Sequence, residues 1–149
     1  MTYLLDTCAV SDFARGEINT LRYIKLMTPS DVFISAITLM EINYGMLLNP
    51  ERTAKIRLVM EDFLDSITIL PLREREANEA AKIRTILKAQ GTPIGAYDLL
   101  IAATAKVHYL TVVTSNVKEF ERVPELNVVN WRTKLSLIHI SEPTRLGAI

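Results

Sequence analysis

The sequence is poor in cysteine and histidine and carries no net charge. Its 149 residues include one cysteine, Cys8, and two histidines, while 17 basic side chains balance 17 acidic ones. A lone thiol cannot form an internal disulfide, which fits a reducing compartment. Zero net charge argues neither for nor against a nucleic-acid partner. His108 is the only histidine before residue 134, so the sequence has too few histidines for a histidine-pair ribonuclease mechanism. A Ser-His-Asp triad would need His108, and nothing singles this residue out.

Long apolar runs are also missing. No stretch reaches the length of a membrane span, and the N-terminal MTYLLDTCAV lacks the basic region and apolar core of a signal peptide. Hydrophobic residues nevertheless make up 49% of the chain, enough for one ordinary domain with its own core. We therefore expect a folded cytoplasmic protein.

The segment after Thr133 differs from the rest of the chain. It shows no clear period, and its stretch LSLIHISEPTR resembles the translation of a widely used sequencing-adapter sequence. We expect one domain over residues 1–133 and a non-native or disordered tail over residues 134–149.

Short apolar runs alternate with segments of helical periodicity along residues 1–133. The predicted strands are TYLL, DVFIS, ITILPL, YLTVVTS and LNVVNW. The segments between them have helical spacing, including a long amphipathic helix from Glu51 to Ser66 and another that ends at Gly91. This alternation predicts an α/β fold in which helices cover both faces of a central, mostly parallel sheet of four to five strands.

Acidic residues stand where ligands bind in such sheets, beyond the carboxyl ends of the strands. Asp6 ends the first strand, Glu41 lies early in the helix after the second, and Asp98 opens the helix before the fourth. Each has a structural explanation. Asp6 has the chemistry of a helix N-cap, Thr38 and Glu41 have capping-box spacing, and Asp98 would complement a helix dipole.

Together the three acids favour a metal site. They lie among apolar neighbours in LLD, LMEI and YDLLI. An unpaired buried carboxylate is costly, and converging carboxylates raise one another's pKa. A hard cation such as Mg²⁺ or Mn²⁺, which prefers oxygen ligands, relieves both effects.

Four ordered blocks carry a family resemblance. The blocks YLLDTCAVSDF, ISAITLMEINYG, GTPIGAYDLLIAATA and VVTSNVKEFERVPELNVVNW resemble those of the PIN-domain ribonucleases, above all the VapC-type toxins of bacterial toxin–antitoxin systems. The resemblance spans nearly all of residues 1–133 and implies a three-layer α/β/α PIN-like fold. It also implies metal-dependent hydrolysis of RNA, with transfer RNA as the common substrate.

The resemblance assigns roles residue by residue. Asp6, Glu41 and Asp98 match the family's acidic metal-binding positions, and either Asn116 or Glu119 fills the fourth. Cys8 stands where many members carry Asn, and we expect it to be a small buried hydrophobe rather than a nucleophile. Weaker substrate-binding candidates are Thr7, Arg15, Thr114 and Ser115, with Arg22 and Lys25 also within possible reach of a phosphate.

The family also implies protein partners. VapC-type toxins typically form homodimers and are inhibited by a cognate antitoxin. Apolar side chains available for such a groove, most of which we expect to be core, are Phe13, Ile24, Tyr44, Met46, Leu47 and Leu48.

Three other functions fit parts of the sequence. A haloacid-dehalogenase-type phosphatase needs a second Asp at the position of Cys8, and a receiver-like domain needs adjacent acids after the first strand. A catalytically degenerate PIN domain that binds RNA or protein without cutting is the more serious alternative, and intact Asp6, Glu41 and Asp98 argue against it.

Overall fold

The computed structural model of the chain describes residues 1–133, so the expectation for the tail, residues 134–149, lies outside the described residues. The strands are β1 (Tyr3–Leu5), β2 (Val32–Ser35), β3 (Thr68–Leu70), β4 (Thr111–Val113) and β5 (Val128–Val129). The helices are α1 (Thr7–Arg15), α2 (Ile18–Leu26), α3 (Ala36–Leu48), α4 (Pro50–Thr53), α5 (Arg57–Ser66), α6 (Glu74–Gln90), α7 (Ala96–His108) and α8 (Val117–Phe120), with a 3-10 turn at Pro29–Asp31.

The five strands form one fully parallel sheet in the order β3-β2-β1-β4-β5. Strand β1 lies at the centre, with Tyr3 opposite both Val32 and Thr111. Because all strands run the same way, their carboxyl ends meet at one edge. The predicted α/β class and the parallel sheet are confirmed, and residues 1–133 contribute five strands.

Two apolar cores cover the faces of the sheet. Successive strand residues point to opposite faces, so Leu4 belongs to the core under α6 and α7 while Leu5 belongs to the core under α1, α2 and α5. Helix α7 is buried from Ile101 to Ala105, as its apolar composition predicts. The sheet is therefore the middle layer of three.

Local hydrogen bonds fix where the helices begin. Asp6 is the N-cap of α1, and its Oδ1 accepts the Ala9 amide at 2.8 Å. Ser35, rather than Thr38, caps α3, with its Oγ accepting the Thr38 amide at 3.1 Å. The capping-box interpretation of Thr38 and Glu41 is therefore wrong, because the helix starts two residues before Thr38.

The region predicted as one helix from Glu51 to Ser66 is divided. Helix α4 stops after one turn at Thr53, and α5 starts at Arg57. The Thr53 hydroxyl donates to the Asn49 carbonyl oxygen at 2.9 Å, so it remains tied to the short helix. This hydroxyl-to-carbonyl bond is a local competitor of helix continuation.

The last described residues pack onto α1 and α2. Trp131 is 3% exposed; its ring stacks on Tyr23 with centroids 5.3 Å apart and meets Tyr3 edge-on at the same distance. The Asn19 side chain donates to the Arg132 carbonyl oxygen at 2.8 Å. Within residues 1–133, no helix is both long enough and apolar enough to cross a membrane.

Candidate active site

The acidic residues converge at the carboxyl-end edge of the sheet. Asp6 follows β1 directly, and its amide donates to the Val113 carbonyl oxygen of β4 at 3.0 Å. Glu41 lies in the second turn of α3, which follows β2 directly. Asp98 lies in the first turn of α7, and Glu119 in the short helix α8 after β4. We call the region formed by these four carboxylates the acidic pocket.

Asp6 is the most buried of the four, at 2% exposed. Burial raises its pKa to about 6, although hydrogen bonds from the Thr114 hydroxyl and the Ala9 amide act in the opposite direction. The charges of Asp12 and Glu41 raise the pKa further. Helix capping therefore explains the position of Asp6 but does not offset the cost of burying its charge.

Glu41 is held by a neighbouring hydroxyl. The Thr7 Oγ1 donates to Glu41 Oε1 at 2.5 Å and lies 3.4 Å from the hydroxyl of buried Thr38. This contact joins α1 to α3 and turns the carboxylate toward the sheet edge. Glu41 in turn raises the pKa of both Asp6 and Asp98, which shows that the three groups lie within electrostatic reach of one another.

Asp98 and Glu119 form a hydrogen-bonded carboxyl pair. Burial, followed by the hydrogen bond and the charge of Glu119, raises the pKa of Asp98 to about 8. The same hydrogen bond lowers the pKa of Glu119. The two carboxyl groups therefore share one proton near neutrality, with Asp98 as the donor.

The fourth acidic position has two candidates, and the structure places them in contact. The Asn116 side chain hydrogen-bonds Glu119, and the Asn116 backbone amide donates to Thr114 Oγ1 at 2.9 Å. The Gly95 amide lies 3.4 Å from Glu119 Oε1. Glu119 is thus the carboxylate that faces Asp98, while Asn116 orients it.

The donor chemistry of the acidic pocket fits a hard divalent cation. All four side chains offer oxygen, and the ion pairs among residues 1–133 include none of them. The raised pKa values of Asp6 and Asp98 show that the pocket disfavours negative charge, which a cation would reverse. Over the described part of the chain, no three acidic, histidine or cysteine groups are close enough together to hold a metal ion as they stand.

The weaker substrate-binding candidates fall into two groups. Thr7 and Thr114 contact the acids directly, through Glu41 and Asp6 respectively. Arg15 instead forms an ion pair with Asp12. Ser115 is partly exposed after β4, and its side chain makes no hydrogen bond within residues 1–133.

Cys8 and two arginines were misjudged or missed from the sequence. Cys8 is exposed, so the expectation of a small buried hydrophobe is wrong; α1 turns its second residue toward the acidic pocket. Partial burial of its thiol and the charges of Asp6 and Asp98 raise the pKa of Cys8, and the charge of Arg132 acts in the opposite direction. Arg122 acts similarly on Glu119. Arg122 and Arg132 carry no local motif, so only the fold reveals their proximity to the acids.

The apolar side chains considered for a partner groove divide into two sets. Phe13, Ile24 and Met46 pack against the core. Tyr44, Leu47 and Leu48 are 62%, 80% and 60% exposed on the C-terminal half of α3. The expectation that most of the set is core therefore holds for only half of it.

Comparisons with known proteins agree on one family. The model of the PIN domain matches residues 3–126. The tRNA(fMet)-specific endonuclease VapC of Salmonella typhimurium is 35% identical over 133 residues, covering 88% of this chain and 98% of that protein. Ribonuclease VapC2 of Haemophilus influenzae is 40% identical over 100 residues, which cover 66% of this chain and 74% of that protein. Among solved structures, VapBC2 from Rickettsia felis bound to a promoter DNA fragment superposes with a TM-score of 0.79 at 29% identity, covering 88% of this chain and 99% of that one.

Proposed function

Because the chain belongs to the PIN-domain family, we propose that it is a metal-dependent endoribonuclease, the toxin of a toxin–antitoxin pair, that hydrolyses phosphodiester bonds in transfer RNA or other structured RNA. The observation that carries the proposal is the convergence of Asp6, Glu41, Asp98 and Glu119 at one sheet edge, with no ion-pair partner among residues 1–133. The relatives' names support ribonuclease activity, and one of them names tRNA(fMet).

Asp6, Glu41 and Asp98 would hold Mg²⁺ or Mn²⁺, with Glu119 beside them. A bound divalent ion supplies charge for the scissile phosphate and lowers the pKa of an attacking water. The chain's own contribution is orientation, because Asp6, Glu41 and Glu119 each accept a hydrogen bond from a neutral side chain. Such partners raise the precision of a metal site.

Each orienting contact has a defined position. Thr114 donates to Asp6, Thr7 donates to Glu41, and Asn116 donates to Glu119. Asp98 is positioned by α7, whose next turns are buried in the core. The pocket is therefore built on rigid elements rather than on mobile loops.

Protein partners follow from the relatives. The solved structures similar to this chain include DNA-bound VapBC from Salmonella typhimurium and FitAcB from Neisseria gonorrhoeae. We assign to this chain a cognate antitoxin and a homodimeric state, and a cytoplasmic location where its RNA substrate resides. The exposed residues Tyr44, Leu47 and Leu48 supply apolar surface for one of these contacts.

A catalytically degenerate PIN domain that binds RNA or protein is the second candidate. It is favoured by one observation. Within residues 1–133 the acids are hydrogen-bonded to protein groups, and no three of them are close enough together to hold a metal ion. The two functions differ in whether the metal-loaded protein cuts the RNA that it binds.

The deciding experiment compares the full chain with Asp6→Asn and Asp98→Asn. Asp62→Asn, an exposed aspartate of α5, is the matched control. Each protein, purified free of antitoxin, is incubated with tRNA(fMet) and a panel of other transfer RNAs in Mg²⁺, in Mn²⁺ and in chelator.

We expect discrete cleavage by the parent and by Asp62→Asn, lost in chelator and in both site variants. Cleavage that survives chelator and substitution would come from a contaminant and would leave the mechanism without support. RNA binding without cleavage by the metal-loaded parent would establish the degenerate module instead.

A further inference from the structure

Two arginines stand beside the acidic pocket on different elements. Arg132 lies on the α1 side, where it contacts Asp12, and Arg122 follows α8, where it contacts the loop before α7. We propose that Arg122 and Arg132 are phosphate-binding residues that hold the RNA backbone on the two sides of the acidic pocket. The inference rests on the proposed nuclease function and identifies how a pocket of negative charge retains a polyanion.

The need for such residues follows from the charges in the pocket. Four carboxyl groups repel RNA, and even a bound divalent ion offsets only part of that charge. Phosphates next to the scissile one therefore require cations at the margin of the pocket. Arginine suits this role because its planar guanidinium stays charged and presents five N–H donors.

Arg122 is close to the acids without an ion pair to them. Its Nη1 donates to the Pro93 carbonyl oxygen at 2.8 Å, and its backbone amide donates to the Glu119 carbonyl oxygen at 3.2 Å. Pro93 lies in the loop that leads through Gly95 to Asp98. Arg122 is exposed, and the bond to Pro93 leaves most of its donors directed to solvent.

Arg132 is fixed more firmly. Its Nε and Nη2 donate to the two oxygens of buried Asp12 at 2.6 and 2.8 Å, and Arg15 forms an ion pair with the same carboxylate. One carboxylate thus serves two guanidinium groups, whose side chains remain 46% and 64% exposed. The charge of Glu17 also acts on Arg132, but the Glu17 carboxylate accepts hydrogen bonds from the first turn of α2.

The position of Arg132 relative to the pocket is given by α1. Asp6 is the N-cap of this helix, and exposed Cys8 lies in its first turn. Cys8 and Asp12 are four residues apart on α1 and therefore share a face. Arg132, which is bound to Asp12, therefore lies about one helical turn along this face from Cys8.

The test measures binding of fluorescein-labelled tRNA(fMet) to the full chain by anisotropy, in chelator, across 50 to 300 mM KCl. The variants are Arg122→Gln, Arg132→Gln and Arg132→Lys, and the control is Arg84→Gln, an exposed arginine of α6. Metal-dependent cleavage of the same RNA by the parent is followed in parallel, together with the melting temperature of every variant.

We expect each Gln variant to weaken binding about three- to tenfold and to reduce the slope of log affinity against log salt by about one. Arg132→Lys should restore the slope because it keeps the charge, and Arg84→Gln should match the parent. A purely structural role for Arg132 would lower the melting temperature without changing the salt slope.

Each result bears on the inference. If the parent cleaves RNA but Arg122→Gln and Arg132→Gln keep its salt slope, the phosphate contacts are refuted while the nuclease function stands. If Arg132→Gln does not fold, an unchanged slope in Arg122→Gln refutes the pair. If the Gln variants have reduced salt slopes but the parent does not cleave RNA, the phosphate contacts are supported and the nuclease function is refuted. A parent that binds no RNA would overturn both.

Discussion

Replacement of Asp98 by Asn should stabilise the metal-free protein while it abolishes RNA cleavage. Burial and Glu119 raise the pKa of Asp98 to about 8, so the folded chain holds this carboxyl group protonated where the unfolded chain would ionise it. Asn is nearly the same shape, carries no charge, and can donate its amide hydrogen to Glu119 as the protonated acid does. The substitution therefore removes an unfavourable ionisation without leaving a cavity.

The magnitude follows from the gap between a pKa of about 8 and the ordinary 3.8. At 1.36 kcal/mol per pH unit, full burial would give roughly 5–6 kcal/mol. Asp98 is only half-buried, so solvent screening reduces this figure severalfold. The lowered pKa of Glu119 offsets more of it, because the pair shares one proton. We expect about 1–2 kcal/mol, or roughly 3–8 °C in melting temperature for a domain of this size.

The upward direction of the Asp98 pKa shift determines how stability depends on pH. A carboxyl group whose pKa is raised by folding binds its proton more tightly in the folded state, so stability falls as the pH rises from about 4 to about 8. Asn does not titrate, so the advantage of Asp98→Asn should be small at pH 5 and largest near pH 8.5. Saturating Mg²⁺ or Mn²⁺ should narrow the difference, since an ion that binds the folded parent stabilises it.

The assay is thermal unfolding of the parent, Asp98→Asn and the control Asp62→Asn, in chelator at pH 5, 7 and 8.5. Asp62→Asn should follow the parent at every pH. A melting temperature of Asp98→Asn at or below that of the parent at pH 8.5 would refute the reasoning. A gain that does not change with pH would refute it as well, because the benefit would then not come from ionisation.

Three further predictions concern other contacts. Burial raises the pKa of Glu76, but hydrogen bonds from the Arg73 amide and from His108 leave it below its ordinary value, so Glu76→Gln should cost about 1–2 kcal/mol at pH 7. Thermal melts should show that this cost disappears as the pH falls below about 4, because Glu76 then becomes protonated in the folded state and no longer stabilises it. A cost independent of pH contradicts the assignment. Trp131→Ala should lower the free energy of unfolding in urea by about 3–5 kcal/mol, since the buried indole packs against two tyrosine rings; a loss under 1 kcal/mol contradicts the packing argument. Thr7→Val should leave the melting temperature within a few degrees but reduce the RNA cleavage rate at least tenfold, because the hydroxyl that orients Glu41 is gone; an undiminished rate removes Thr7 from the site.

Much of the fold was predictable because its elements are encoded locally. Leu4 and Leu5 stand in a continuous apolar run, as expected of a strand covered on both faces, and Gly91 ends α6 with a φ of 71°. The start of α3 was predicted less well, since the spacing of Thr38 and Glu41 also fits a capping box. In the structure Ser35, the last residue of β2, is the cap, so the helix begins directly after the strand.

The candidate site was only partly predictable for a similar reason. Asp6 and Asp98 are recognisable because acids within apolar runs are unusual locally. The choice between Asn116 and Glu119 depends on which side chain faces Asp98, and that is decided by the turn that leads into α8. Arg132 lies 120 residues from Asp12 in the chain, so no local pattern joins them.

The central position of β1 has a consequence for the order of events during synthesis. The first strand made pairs with β2 early, but its other neighbour, β4, begins only at Thr111. Asp98, β4 and Glu119 all lie late in residues 1–133, so Asp6 is synthesised long before the groups that complete the acidic pocket. A nascent chain that has not yet reached Glu119 therefore carries an incomplete set of the pocket's carboxylates.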